Sequence, residues 1–308
     1  MRDLGPLLLH SVSYAGFWGQ AYLPLDGFID RAADLGYDGV ILMAKRPHLS
    51  VLDYSAKECR PLRDKLETRG LRKLCIAGYT NFTGDLEHGD IPHLEIQTQH
   101  VVQLAHMAHE LGGDLVRVFT GYESSAASYS GQWKLVVQGL RECARRAAEY
   151  GVTIGVQNHH DIAAGFEALY DLIREVNEPN CRAMFDAWAP YLHGADLQAA
   201  AQQLAPVTVH TTIADYQLRP RYRYHPAVVN YTAETPLVQA VPMGEGSIDY
   251  PGFLRALSKA GARPSVAYEM CSPLSTGGAM ESLDQCARTF LEYMRELQER
   301  AHASESFD

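Results

Sequence analysis

The sequence predicts a (β/α)8 barrel built as a single domain over residues 1–308. Three observations carry this. Short β-like apolar runs alternate with amphipathic helical stretches, and the alternation repeats eight times. The length of 308 residues suits one such barrel, whose typical size is about 250 residues. No GxGxxG turn follows the first apolar run, which argues against the doubly wound sheet.

The elements follow in order. LLLHSV (7–12) reads as the first strand, and LDGFIDRAADLG (25–36) as a helix that stops on Gly36, a left-handed cap residue. GVILMA (39–44) is the second strand, followed by a helix over 56–70 that closes on Gly70. LRKLCIAG (71–78) is the third strand, and residues 93–113 form a long helix with a Gly-Gly stop. DLVRVFTG (114–121) precedes a helix over 132–151, again closed by glycine. VTIGVQNHH (152–160) is the fifth strand, and the helix over 166–177 is ended by Pro179. CRAMFDA (181–187) leads to a helix over 196–205, which stops before Pro206. VTVHTTI (207–213) is the seventh strand. YPGFLRALSKAG (250–261) is a helix with proline near its start. PSVAYEM (264–270) is the eighth strand, and residues 281–300 form the last helix. The polar tail 301–308 is expected to fray. One connection is long, residues 214–248 after the seventh strand, and is read as a loop with a functional role or disorder.

Composition removes several function classes. Lys and Arg number 27 against 37 Asp and Glu, a net charge of −10. Nucleic-acid binders need a basic face for phosphate contacts, so that class is disfavoured. No apolar run reaches the roughly 18 residues of a membrane span, and the N-terminus is too weakly basic for a signal peptide. The six cysteines, at 59, 75, 143, 181, 271 and 286, form no C-x-x-C pair. They are expected to be free buried thiols of a cytoplasmic protein. The helix over 93–113 carries His100, His106 and His109, whose spacing suits a solvated or interhelical face better than a metal pair.

In a (β/α)8 barrel the active site lies at the C-terminal ends of the strands. The last four strands end in Gln157, Asp186, His210 and Glu269. Polar side chains inside apolar strands are costly unless satisfied, and here they recur on four neighbours. Such an O,O,O,N donor set suits a divalent ion such as Mn2+, Mg2+ or Co2+, with Zn2+ less favoured. Each residue alone is more often a cap, a turn residue or a hydrogen-bonded core group than a ligand. His159 and His160 follow the fifth strand and are candidate bases, with Glu269 as a third. Candidate substrate contacts follow the first four strands: Trp18 beside Phe17, then Lys45, Arg46 and His48 in AKRPHLS, then Tyr79 and Asn81, and Arg117. The KRPH cluster stands out among them. The Arg/Tyr-rich stretch 216–231 suggests a lid or a subunit contact. No nicotinamide or flavin motif is visible, so no redox step by this chain is expected.

The stretches GVTIGVQNHH, CRAMFD, VTVHTTIAD, MGEGSIDYPGFLRALSKAG and SVAYEM resemble the sugar phosphate isomerase/epimerase superfamily of xylose isomerase-like barrels. The resemblance implies one Mn2+-type ion on Gln157, Asp186, His210 and Glu269. It also shows departures. Gln157 stands where ketose 3-epimerases have a glutamate that serves as acid/base, and glutamine cannot exchange that proton. Ala189 and Tyr216 replace a family His and Arg. Such a one-base site is similar to the α (catalytic) subunits of bacterial C-glycoside deglycosidases, lyases acting on 3-keto C-glycosides. That resemblance implies a small β partner subunit in a hetero-oligomer; otherwise a homo-oligomer is expected. The alternatives are an isomerase, epimerase or inosose dehydratase-type enzyme, a non-catalytic sugar-binding barrel, and an endonuclease IV-like repair enzyme, which the acidic charge disfavours.

Overall fold

In the computed structural model, which describes residues 5–86, 89–270 and 274–305, eight parallel strands close into a barrel. They are β1 (Leu7–His10), β2 (Gly39–Met43), β3 (Lys73–Ala77), β4 (Leu115–Val118), β5 (Thr153–Gln157), β6 (Cys181–Met184), β7 (Thr208–Ile213) and β10 (Ser265–Tyr268). The order around the barrel is β1-β10-β7-β6-β5-β4-β3-β2, so β1 and β5 face each other across the mouth. The outer ring holds α1 (Leu25–Leu35), α2 (Ala56–Thr68), α3 (His93–Glu110), α4 (Tyr129–Ala148), α5 (Phe166–Val176), α7 (Leu197–Leu204), α8 (Tyr250–Lys259) and α9 (Met280–Glu305). A short α6 (Trp188–Leu192) follows β6.

The strands are apolar on both faces because helices cover the outside and side chains fill the inside. Leu8, Ile41, Cys75, Ala77, Leu115, Met184 and Ala267 form the inner plug. The outer core packs Phe28, Leu104, Leu140, Leu172 and Phe253 between strands and helices. Helix ends follow their sequence signals. Gly36 caps α1 at φ 91°, Ser128 caps α4, and Asp196 caps α7 by accepting from Gln198 N and Ala199 N. Gly39 opens β2 where a Cβ would lie 1.9 Å from the Lys73 carbonyl oxygen. Gly39→Ala must therefore push two paired strands apart. It is expected to cost about 2 kcal/mol or more, seen as a lower melting temperature in calorimetry.

Three expectations are corrected here. Residues 214–248 are not a loop: Asp215–His225 (β8) and Asn230–Val241 (β9) pair as an antiparallel ribbon. Alternating Arg and Tyr is a period-two pattern, which is a strand signal. The polar tail does not fray at 301, since α9 runs through Glu305; residues 306–308 lie outside the described residues. The first strand ends at His10, and Ser11–Tyr14 turn in a 3-10 helix. Cys59, Cys75, Cys143, Cys181 and Cys286 are free and buried, while Cys271 lies outside the described residues. His106 stacks on Tyr150 at 5.0 Å and His109 bonds the Tyr150 carbonyl, so this histidine stripe is an interhelical face. No described helix is long and apolar enough to cross a membrane.

Candidate active site

The strand ends give the barrel mouth two unlike sides. On β5 and β6, Gln157 and Asp186 are buried and joined: Gln157 Nε2 donates to Asp186 Oδ2. Asp186 Oδ1 accepts from the Thr212 N–H at 2.6 Å, and Asn158 brackets the Asp186 backbone with two hydrogen bonds. Burial outweighs these bonds and pushes the Asp186 carboxyl up to about 7. Glu269 follows β10, with Oε2 4.0 Å from His10 Nε2. His10 Nδ1 accepts from Val12 N at 3.1 Å, so Nε2 carries the proton and points at the carboxylate without a hydrogen bond of its own.

The other side is cationic and aromatic. Arg117, on β4, is 2% exposed. Its Nη1 donates to Gln157 Oε1 at 3.0 Å, its Nη2 to the Gly78 carbonyl at 3.1 Å, and its Nε has no partner. Phe119 and Tyr79 cover the guanidinium at 4.1 and 4.8 Å. Lys45 stands over the Tyr79 ring at 4.0 Å and the Phe17 ring at 5.1 Å. Burial and the Arg117 charge lower its pKa. Trp18 continues this wall edge-on to Phe17 and is half exposed. At the far end His160 stacks on Phe119 at 4.2 Å and meets Tyr122 at 4.4 Å. His159 Nδ1 and His160 Nδ1 are 3.0 Å apart. Burial and the Arg117 charge hold both imidazoles down to about 4, His160 adding to the effect on His159, so both are neutral at pH 7.

Lys45, Tyr79, Arg117 and Trp18 thus share one wall of the mouth. Three other candidates do not face it. His48 is buried between Ser11 Oγ and the Leu23 carbonyl, both at 3.0 Å, and braces the loop after β2. Arg46 is exposed and held by Asp53 in a two-pronged ion pair. Asn81 Oδ1 accepts from Thr83 N and Thr83 Oγ1, which shapes the loop after β3. The KRPH cluster splits because adjacent residues point to different sides of the chain. His48 has a measurable consequence. Burial lowers its folded pKa below 6.5, so below that pH the unfolded chain binds a proton the folded one does not, and stability falls. The melting temperature should drop between pH 7 and pH 5, and the drop should shrink in His48→Gln.

His10, Phe119 and Tyr122 were not among the sequence candidates. His10 is the polar last residue of β1. Extending that strand to Val12 hid it.

The four expected metal ligands are not preassembled. Among the described residues no three His, Cys, Asp or Glu side chains stand close enough to hold an ion. The reason is register: His210 pairs with Ser265, four residues before Glu269, and lies two residues below Thr212, whose N–H caps Asp186. Gln157 Oε1 is also already engaged by Arg117. The donor chemistry nevertheless fits a divalent ion. His210 is fully buried, its Nδ1 is fixed by Ser265 Oγ at 2.7 Å, and its Nε2 has no partner. Burial lowers its pKa to about 3, so the ring is a neutral donor. Asp186 and Glu269 add carboxylate oxygens.

The GEG of MGEGSID holds the root of the ribbon. Asp215 Oδ2 accepts from Gly244 N and Gly246 N, both at 2.9 Å, and a Cβ on Gly246 would strike that carboxylate at 1.8 Å. Tyr216 is buried, its ring 4.1 Å from that of Trp188 and tilted to it.

Comparison with known proteins agrees with this architecture. Over 213 residues the chain is 22% identical to fructoselysine 3-epimerase of Escherichia coli O157:H7, covering 64% of this chain and 74% of that protein. The structure of L-ribulose 3-epimerase superposes with a TM-score of 0.74 at 15% identity, over 99% of this chain and 98% of the other. D-psicose 3-epimerase with D-tagatose, from Clostridium cellulolyticum H10, gives 0.73 at 16% identity over 95% and 99%. A probable 3-DHS dehydratase of Bacillus anthracis gives 0.71 at 16% identity over 93% and 98%. These likenesses show the fold. Residues 29–297 match the model of one family, and the chain therefore belongs to the xylose isomerase-like TIM barrel family.

Proposed function

We propose that this chain is an enzyme that removes a proton from the carbon beside a sugar carbonyl, and that its reaction is a lyase cleavage of 3-keto C-glycosides. The observation that carries the reading is the two-sided mouth. One carboxylate base, Glu269, is set against His10. Across from it stands a wall of Arg117 and Lys45 on aromatic faces. Glu269 takes the proton, and the electron pair moves onto the carbonyl oxygen. Arg117 and Lys45 hold the resulting oxyanion in a site of low dielectric. When the enolate re-forms the carbonyl, the bond to the aglycone carbon breaks, and the Lys45 ammonium returns a proton to that carbon. His160 and His159, neutral at pH 7, sit at the rim and order the substrate against Phe119 and Tyr122.

A divalent ion, Mn2+ first, would be held by the carboxylates of Asp186 and Glu269, with His210 Nε2 and Gln157 Oε1 joining once the strand ends shift and Gln157 releases Arg117, and when bound it would supply Lewis-acid polarisation of the sugar oxygens. No nicotinamide or flavin enters this scheme. A small β partner subunit belongs to this lyase reading.

A second reading, sugar epimerase or isomerase, is favoured by the relatives, of which three are named as 3-epimerases. Against it stands Gln157, an amide where a second base is needed. The named dehydratase relative supports elimination chemistry on this fold. The test is NMR of Mn2+-loaded protein, alone and with any small co-expressed partner, given a 3-keto C-glycoside or a free ketose, each with and without EDTA. Aglycone release abolished by EDTA is the expected result. Ketose interconversion with the glycoside intact would move the chain to the epimerases. Inertness toward both would favour a non-catalytic sugar-binding barrel.

A further inference from the structure

We propose that the β8–β9 ribbon is a dimerisation arm whose apolar face is buried by a second copy of this chain. Side chains alternate across a strand, and the ribbon sorts them by polarity. Leu218, Tyr222 and Tyr224 share one face with Val238, Ala233 and Tyr231, through the pairs Leu218↔Val238, Tyr222↔Ala233 and Tyr224↔Tyr231. The Tyr224 and Tyr231 rings lie 5.2 Å apart. The opposite face carries Arg221 and Arg223, both tied to Glu234 at 2.6 and 2.7 Å, and His225 bonded to Thr232, with Leu237, paired to Arg219, as its apolar exception.

Among the described residues nothing covers this apolar face. Tyr222 is 63% exposed, Tyr231 64%, and Val229 at the tip 77%. A two-stranded ribbon without such cover is marginally stable in water. Its root, by contrast, is fixed by Asp215 and by Tyr216 on Trp188, so the arm is held out at a set angle.

Area and charge both select a second copy. The tyrosines, Leu218 and the valines offer on the order of 600 Å² per ribbon, by the usual areas of such side chains. Two ribbons bring about 1,200 Å², the scale of a stable interface. A closed two-fold pair uses both arms once each. The ribbon after Asp215 holds three arginines and one glutamate, net +2, on a chain whose total is −10. It is therefore drawn to the acidic body of its own kind. Pro220 and Pro236 remove an edge N–H from each strand, so contact is made by the face and not by adding a strand.

The test is sedimentation velocity of the full chain at about 1 and 50 μM, with the melting temperature of each variant. Wild type is expected to be a dimer at 50 μM. Tyr222→Ser/Tyr231→Ser should weaken the dimer about 100-fold or more, given how tyrosines concentrate interface energy. Val229→Asp at the tip should weaken it independently, with the barrel's melting unchanged. A wild-type monomer at 50 μM overturns the proposal, even if a different protein binds the ribbon. So does a dimer that both ribbon changes leave intact. Neither result bears on the sugar chemistry of the mouth.

Discussion

Replacing Glu269 by glutamine is expected to lower the rate of proton removal from the sugar about 10³-fold, within the range such a base supplies. The exchange keeps size and hydrogen-bonding reach and removes the basicity together with the negative charge, so metal content is measured alongside the rate. Glu269 follows the last barrel strand, with the His10 N–H as its neighbour across to β1. The melting temperature of Glu269→Gln should stay within a degree or two of wild type. A rate within threefold of wild type would move the base elsewhere. His160, first choice from its place beyond Gln157, would then return, and His160→Ala would be the decisive variant.

Arg117→Met should separate activity from stability. A guanidinium inside a barrel is costly to desolvate. Arg117 is answered by two neutral oxygens, Gln157 Oε1 and the Gly78 carbonyl, and its Nε has no partner. Methionine keeps the stem and the packing on Phe119 while removing the charge. The melting temperature is expected to hold or rise, and turnover to fall about 10²- to 10³-fold, the usual loss of an oxyanion donor. A residue present only for structure would show the reverse: lower stability with activity kept. Lys45→Met should lose activity in the same way but stay neutral in stability, because its ammonium is less buried.

Most of the barrel was legible because its signals are local. Each outer helix but the last announces its end with a glycine or proline, and the barrel strands are short, mostly apolar runs of four to six residues. Gln157, Asp186 and Glu269 fell at the mouth by reading strand ends alone. The ribbon was misread as a loop because its strands are exposed on both sides. No apolar alternation toward a core marked them, only Arg and Tyr in turn. His210 was placed correctly in its strand but at the wrong depth. Strand register is fixed by neighbours, and the shift between Ala183 and Met184 cannot be read from β6 or β7 alone. His48 and Arg46 were assigned to the mouth with Lys45 by adjacency, whereas the chain turns between them. The pairing of Arg117 with Gln157 spans 40 residues, and nothing local to either residue announces it.

The most direct measurement is solvent deuterium at the carbon beside the carbonyl. Mn2+-loaded protein in D2O, with a 3-keto C-glycoside at about pH 7, would be followed by proton NMR for wild type, Glu269→Gln and Arg117→Met. Loss of that carbon's proton signal or release of aglycone in wild type, about 10³-fold slower in Glu269→Gln, is the predicted result. Complete retention of the proton, in the glycoside and in free ketoses alike, would contradict proton abstraction as the work of this site.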